Sequence, residues 1–378
     1  MREVFIASDN ILSPIGSTAA RNFTELYNKV SGVKGHEDKL LSAVPFYASL
    51  FKGTEGFLND DKKHTKFEQL LIASIDDALK GCEINASDKK TVLILSSTKG
   101  NISLLETEEP SVQLNERIAL HTSASILKEH FHLANQPIII SNACISGIMA
   151  ILMGTRLIQS GQYENVIVAG ADVISKFVLS GFQSFQAVSS NPCRPFDAAR
   201  DGINLGEGAA TIILSSNNAY SKGIQVSGGS ISNDANHISG PSRTGEELNF
   251  AIGKSLQAAG LSATDIDFIS AHGTATLYND EMEAKAITLS NLQNVPVNSL
   301  KGYYGHTLGA AGIIESIISI RSLKENVILP TLGYENIGVT QPINICSSLL
   351  KKPLQHCLKT ASGFGGCNAA IIFSKHNN

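Results

Sequence analysis

The sequence predicts an α/β protein made of two similar halves, and three observations carry that expectation. β-branched runs alternate with stretches whose apolar residues recur at three- and four-residue spacing, the pattern of strands feeding helices. Such alternation implies βαβ crossovers and mostly parallel sheets. A glycine-rich turn running into a β-branched strand also recurs: Gly206-Glu207-Gly208-Ala209-Ala210-Thr211-Ile212-Ile213-Leu214-Ser215 is echoed by Gly365-Gly366-Cys367-Asn368-Ala369-Ala370-Ile371-Ile372-Phe373-Ser374. Finally, a strand–turn–helix unit at 138–158, bearing Cys144, is echoed by Ile266-Asp267-Phe268-Ile269-Ser270-Ala271-His272 and the helical stretch 280–287. The echoes divide the chain near 217–223, into halves 1–217 and 218–378.

Taken in order, Val4-Phe5-Ile6-Ala7 reads as a strand, and Ser13-Pro14-Ile15-Gly16-Ser17 as a turn whose Ser17 caps a helix through Leu26. The stretch 32–61 shows no regular pattern. Leu70, Leu71, Ala73, Ile75 and Leu79 mark a helical face over 67–79. Lys62, Lys63 and Lys66 precede it, either as a solvated helix end or as a patch for an acidic partner. Val92-Leu93-Ile94-Leu95 is a buried strand; 122–131 is helical and leads into the strand Pro137-Ile138-Ile139-Ile140. That strand stops at Ser141-Asn142-Ala143-Cys144, and a helix follows with Ile148, Met149, Ile151, Leu152 and Ile158 apolar. Its small residues Gly147, Ala150 and Gly154 allow close packing. After a turn at Ser160-Gly161 come strands at 166–170 and 209–214.

Composition narrows the function. Hydrophobic residues make up 43% of the 378 and charged residues 17%, which suits a buried-sheet enzyme. A net charge of −4 predicts no nucleic-acid partner. The six cysteines form no C-x-x-C pair and no zinc-spaced cluster, so neither a disulfide framework nor a metal is expected. No apolar run is long enough to cross a bilayer, and the amino end lacks a signal core. The expected address is a reducing cytoplasm.

The candidate chemistry lies at turns. Cys144 stands where a helix begins, and a helix N-terminus carries partial positive charge and unpaired N–H groups. That setting is expected to favour thiolate and to stabilise a developing oxyanion. His272, in Ala271-His272-Gly273-Thr274-Ala275-Thr276, and His306, in Tyr304-Gly305-His306-Thr307-Leu308-Gly309-Ala310-Ala311-Gly312, have small neighbours that let a ligand approach. His306 opens a helix containing Ile313, Ile314, Ile317 and Ile318. In α/β sheets ligands collect beyond the carboxyl ends of strands, so packing the halves about a two-fold-like axis would join Cys144 and His272 at one cleft.

Five ordered segments now form a pattern: Asn142-Ala143-Cys144-Ile145-Ser146-Gly147, His272-Gly273-Thr274-Ala275-Thr276, Asn298-Ser299-Leu300-Lys301, the stretch 305–312, and Gly363-Phe364-Gly365-Gly366-Cys367-Asn368. Together they resemble the signatures of elongating β-ketoacyl-acyl-carrier-protein synthases, and Arg194-Pro195-Phe196-Asp197 and Asp201-Gly202 are similar to that family's middle segment. The resemblance runs from the first strand to the last. It implies a thiolase-like fold, with two βαβ-rich halves packed as an α/β/α/β/α sandwich, and a decarboxylative Claisen condensation. It further implies Cys144 as the acylated nucleophile and His272 and His306 as hydrogen-bond donors to the malonyl thioester. Lys301 and Glu283 match a paired lysine and glutamate, and Glu315 matches a structural acid. Thr274 and Thr276 match binders of the pantetheine amides. Phe364 matches an acyl-chain gate hinged on Gly363, Gly365 and Gly366. No cofactor of its own is implied, since 4′-phosphopantetheine arrives on the acyl carrier protein. The implied partners are that carrier, docked on Lys62, Lys63, Lys66 and Arg200, and a second subunit, identical or a chain-length-factor homologue.

The sequence departs from the family at Ser362, at Gly302-Tyr303-Tyr304 and at Cys367. The two tyrosines either reshape the pantetheine entrance or merely alter packing. Two pathways fit the pattern, fatty-acid elongation and a type II polyketide or aryl polyene ketosynthase. An initiating synthase would carry Asn in place of His306, and a thiolase would carry a second catalytic cysteine in its own glycine-rich motif. The intact triad argues against a non-catalytic subunit.

Overall fold

Strands covered by helices on both faces read as continuous apolar runs, and the main strands here do so. The computed structural model describes residues 2–53, 55–58, 63–236 and 238–376. Ten strands form its central sheet: β1 Phe5–Leu12, β2 Thr91–Ser96, β3 Ile138–Ile140, β4 Asn165–Asp172, β5 Gly208–Ser215, β6 Ile224–Asn233, β7 Phe268–Ser270, β8 Val297–Asn298, β9 His356–Gly363 and β10 Cys367–Lys375. Their spatial order is β3-β2-β4-β5-β1-β6-β10-β9-β7-β8. Each strand of the first five thus has a counterpart five places later, and the two sets meet at one residue pair, Phe5 with Gln225.

Six helices repeat with the strands: α1 Lys66–Lys80, α2 Leu120–His130, α3 Ser146–Gln159, α4 Glu246–Ala259, α5 Leu277–Leu289 and α6 Ala311–Glu325. Helices α3 and α6 each touch strands of both halves, which places them in the middle layer. Helix α1 packs on β1, β4 and β5, and α4 on β6 and β10, as outer layers. The result is the expected α/β/α/β/α sandwich. A helix in a middle layer must be apolar all round. Accordingly Ile148, Ile151, Leu152 and Ile158 of α3 are buried, as are Ile313, Ile314, Ile317 and Ile318 of α6. The two helices cross where side chains vanish: a Cβ on Gly147 would lie 2.8 Å from the Ile313 nitrogen, and one on Gly312 would lie 2.7 Å from that of Ile148.

Three expectations need correction. The sheet is mixed: parallel pairing holds the flanks, β2 with β3 and β4 and β7 with β8 and β9, while the centre is antiparallel. One of these antiparallel pairs has a local reason, since β9 and β10 are joined by a short hairpin rather than a helical crossover. The glycine-turn echo does pair counterpart strands, β5 and β10, but the strand–turn–helix echo is one unit out of step. The counterpart of β3 and its helix α3 is β8 with α6, whereas β7, leading to His272, corresponds to β2. Lastly, the patternless stretch near the start contains the short strands Val33–His36 and Phe46–Ser49, the latter pairing with Leu205–Gly206, and the first helix is Ala19–Tyr27, capped by Thr18 rather than Ser17.

Candidate active site

The turn after β3 is held by its own side chains. Ser146 donates through its hydroxyl to the Ala143 carbonyl at 2.6 Å, and its oxygen accepts the Asn142 N–H at 2.7 Å. Ala143 is forced to a φ of 45°, a left-handed backbone uncommon for a side-chain-bearing residue. This elbow turns Cys144 into a cavity of about 410 Å³, to which His272 and His306 also contribute. The loop after β7 is fixed from α5, where Glu283 accepts the N–H groups of His272 and Gly273, both at 2.8 Å. The His306 N–H donates to the Asn204 carbonyl at 2.7 Å. The two imidazole centroids are 5.1 Å apart and nearly perpendicular, and one donor atom from each of Cys144, His272 and His306 lies within 4.8 Å of the others.

Protonation follows from burial. Desolvation lowers the pKa of both histidines well below 6.5, with Lys301 adding to the effect, so both rings are neutral near pH 7. The Nδ1 atom of His306 accepts the Leu308 N–H at 3.2 Å, which leaves its proton on Nε2. That Nε2 and His272 Nδ1 are buried without a hydrogen-bond partner among the described residues. The cluster is compact enough to hold a metal ion, but a protonated Nε2 has no lone pair to offer one. Burial pushes the Cys144 thiol up to about 12, with Cys367 adding to it, against the smaller opposing effects of Lys301 and of the Phe364 N–H pointing at the sulfur. The resting group is therefore a thiol, contrary to the thiolate expected from its place at the helix start.

Behind the histidines lies a charge network that the sequence reading paired wrongly. Lys301 donates to the His272 carbonyl at 3.0 Å and forms its ion pair with Glu315, not Glu283. Glu283, besides holding the His272 loop, accepts the Thr360 hydroxyl at 2.6 Å. Glu315 is therefore the partner, and its second oxygen binds Lys359 at 2.7 Å. Sequence reasoning missed Lys359, though a lysine amid Cys357-Leu358-Lys359-Thr360-Ala361, in a strand otherwise buried, was a signal. It also missed Asp172, a buried acid that accepts from the Ser97 hydroxyl at 2.8 Å and from the Gly309 N–H at 2.7 Å, tying the β2 end to the loop after His306.

The cavity wall bears the remaining expected residues. The hydroxyls of Thr274 and Thr276 are 2.9 Å apart on it. Phe364 is 37% exposed and stacks on Phe182 at 5.6 Å, with Phe185 edge-on at 5.4 Å; neither partner was foreseen. A Cβ on Gly363 would lie 2.9 Å from the Cys144 nitrogen, so only glycine lets the gate strand come this close. Gly365 and Gly366 have φ of 83° and 74°, which glycine adopts without strain. The tyrosines do not reshape the entrance: Tyr303 is buried and donates to the Pro330 carbonyl at 3.1 Å, and neither ring lines the cavity.

Of the expected docking cations, Arg200 is contradicted by its burial. Arg200 is buried and donates to the carbonyls of Asp197 and Gly338 at 3.0 and 2.5 Å. Lys66 is paired with buried Glu207 at 2.7 Å. Lys63 is exposed, and Lys62 lies outside the described residues. No helix among the described residues is long and apolar enough to cross a membrane.

The family model for the β-ketoacyl synthase N-terminal domain matches residues 1–219, and that for the C-terminal domain matches 224–335. The chain is 28% identical over 411 residues to 3-oxoacyl-[acyl-carrier-protein] synthase 2 of Vibrio cholerae serotype O1, covering 99% of each chain. It is 35% identical over 251 residues to the Rhizobium meliloti protein of the same name, covering 62% of this chain and 59% of that one. In fold it matches a ketosynthase (ApeO) solved in complex with its chain length factor (ApeC) from Xenorhabdus doucetiae, with a TM-score of 0.88 at 24% identity over 99% of this chain and 98% of that one. The two family models reach across the thiol-bearing half and the imidazole-bearing half alike, and this thiolase-fold chain belongs to the β-ketoacyl synthase family of condensing acyltransferases.

Proposed function

We propose that this ketosynthase extends carrier-bound acyl chains by two carbons in fatty-acid biosynthesis. The observation that carries the reading is the convergence of one thiol and two neutral imidazoles, from three separate strand-to-helix turns, on one cavity.

The chemistry follows from the protonation states. A thiol raised to about 12 needs a proton acceptor when it attacks. His306 is a fixed Nε2–H donor, so His272, whose ring no backbone group locks, takes the Cys144 proton. Sulfur attacks the acyl thioester, the N–H groups of Cys144 and Phe364 bind the oxyanion, and the departing pantetheine thiolate recovers the proton from His272. A malonyl thioester then enters along Thr274 and Thr276. Both neutral histidines donate to its thioester carbonyl, His272 in the tautomer that carries its proton on the cavity-facing nitrogen, and stabilise the enolate as CO2 leaves. The enolate carbon attacks the acyl group on Cys144; the expelled thiolate regains a proton from solvent, and the β-ketoacyl thioester departs.

The partners under this reading are the acyl carrier protein and a second synthase subunit. Fatty-acid elongation is supported by the relatives named for 3-oxoacyl-carrier-protein synthesis. The test separates two half-reactions. Cys144→Ala is expected to abolish acyl transfer while retaining malonyl decarboxylation, and His306→Ala to lower decarboxylation by about a hundredfold or more. Mass spectrometry of the protein and CO2 release measure the two. Full condensation by Cys144→Ala sinks the mechanism. Obligate co-purification with a homologue lacking the cysteine would move the assignment to a polyketide or polyene system.

A further inference from the structure

Lys359 has no role in the steps above, yet it occupies one of the most buried positions in the protein. It sits mid-strand in β9 at zero exposure. Its ammonium donates to the carbonyls of Ser270 and Ala271, both at 3.2 Å, to that of Thr360 at 2.6 Å, and to Glu315 at 2.7 Å. Ser270 and Ala271 are the residues immediately before His272.

The internal repeat shows that the fold does not require a charge there. β4 and β9 both have eight residues, and their pairings with β5 and β10 match position for position. The counterpart of Lys359 is then Val168, equally buried. Taking Gly147 and Gly312 as counterparts across the helix crossing, Glu315 corresponds to Ala150, also buried. At these two positions one half has apolar side chains and the other a lysine and a glutamate, to which Lys301 adds a second cation. Burying such a set carries a desolvation cost that apolar residues avoid.

We infer that Lys359 is a positioning residue for decarboxylation: it fixes the carbonyl end of β7, and with it the His272 imidazole, and together with Lys301 brackets Glu315. The inference rests on the ketosynthase reading. The charged groups around it are Glu315 and Lys301 on one side and Glu283 on the other, with His272 and His306 beyond. Two cations this close also disfavour a third on either imidazole.

The test is Lys359→Met, with Lys359→Gln as a variant that keeps an amide donor but no charge. Lys359→Met is expected to lower kcat for malonyl-carrier decarboxylation about thirtyfold with KM held within about threefold, and acyl transfer, which uses His272 as the proton acceptor for Cys144, is expected to fall as well. The acid limb of its pH profile should move upward, because the rings now hold a proton at higher pH. Lys359→Gln should fall between it and the parent. An unmoved acid limb, a KM that rises as far as kcat falls, or decarboxylation within twofold of the parent overturns the proposal. So does failure of both variants to fold, which would make the lysine purely structural. NMR of 15N-labelled histidine reads the His272 titration without turnover. It therefore still decides the role of Lys359 if the parent proves inactive and the ketosynthase reading is what fails.

Discussion

The two halves share a scaffold and use it differently. Where the first half places Val168 and Ala150, the second places Lys359 and Glu315. Where the first ends β4 on Asp172, the second ends β9 on Gly363, its counterpart by register. Asp172 spends its lone pairs on the loops that carry Ser97 and Gly309, whereas Gly363 leaves room for the backbone nitrogen of Cys144. Burial shifts the nucleophile of the first half and the donors of the second alike, and the second half adds the charges of Lys301 and Lys359 to it. Since one half folds with the apolar version, the ionic version belongs to chemistry rather than to folding.

That contrast is broken most severely by making the second half resemble the first. Replacing the whole network, as Lys301→Met/Glu315→Leu/Lys359→Val, is expected to lower decarboxylation about a thousandfold. The same variant should leave the unfolding free energy unchanged or raise it by about 1–4 kcal/mol, because no buried charge is left without a partner. Urea unfolding and CO2 release measure the two effects. A large loss of stability would show that the network holds the fold together.

The nucleophile half is sharpened by pH. With the thiol raised to about 12, thiolate is scarce at neutral pH. In the absence of substrate, alkylation of Cys144 by iodoacetamide should therefore rise about tenfold per pH unit from 7 to 10, without levelling. A plateau near pH 7 would restore the helix-terminus thiolate. The histidines have the opposite sign: their depressed values keep them neutral above pH 6.5, and activity fails only as pH falls through those values.

Much of this was legible in the sequence, and what was hidden shares a cause. Cys144, His272 and His306 announce themselves because chemistry sits at glycine-flanked turns, where local spacing is informative. The strands were legible for the same reason, since Val166-Ile167-Val168-Ala169 has few other readings. Partnership was not legible. Glu283 and Glu315 both lie near Lys301 along the chain, and only the crossing of α3 with α6 decides that Glu315 faces it. Arg200 looked like a surface cation until the fold wrapped Gly338 and Asp197 around it. Lys359 was overlooked because a lone lysine in a strand gives no spacing to read. The antiparallel pairing of β9 with β10 was missed because the hairpin Gly363–Cys367 was read as a gate and not as a connection.

The mildest test concerns a contact between the halves at the cavity, where aromatic rings meet. Phe182 and Phe185, at the end of the helix Lys176–Ser184, come from the first half and clasp Phe364 of the second. An aromatic pair is worth about 0.5–1.5 kcal/mol beyond its buried area, so either contact biases the gate by roughly two- to tenfold. Phe182→Ala removes a stacked pair and Phe185→Ala an edge-on pair. Each is expected to change KM for the acyl donor by about threefold, with kcat for acyl transfer at saturation held within twofold, because the ring is released while the Phe364 N–H stays at the sulfur. If kcat falls as far as KM changes, the rings orient the oxyanion donor as well as the gate. The second half would then depend on the first for its geometry as well as for its nucleophile.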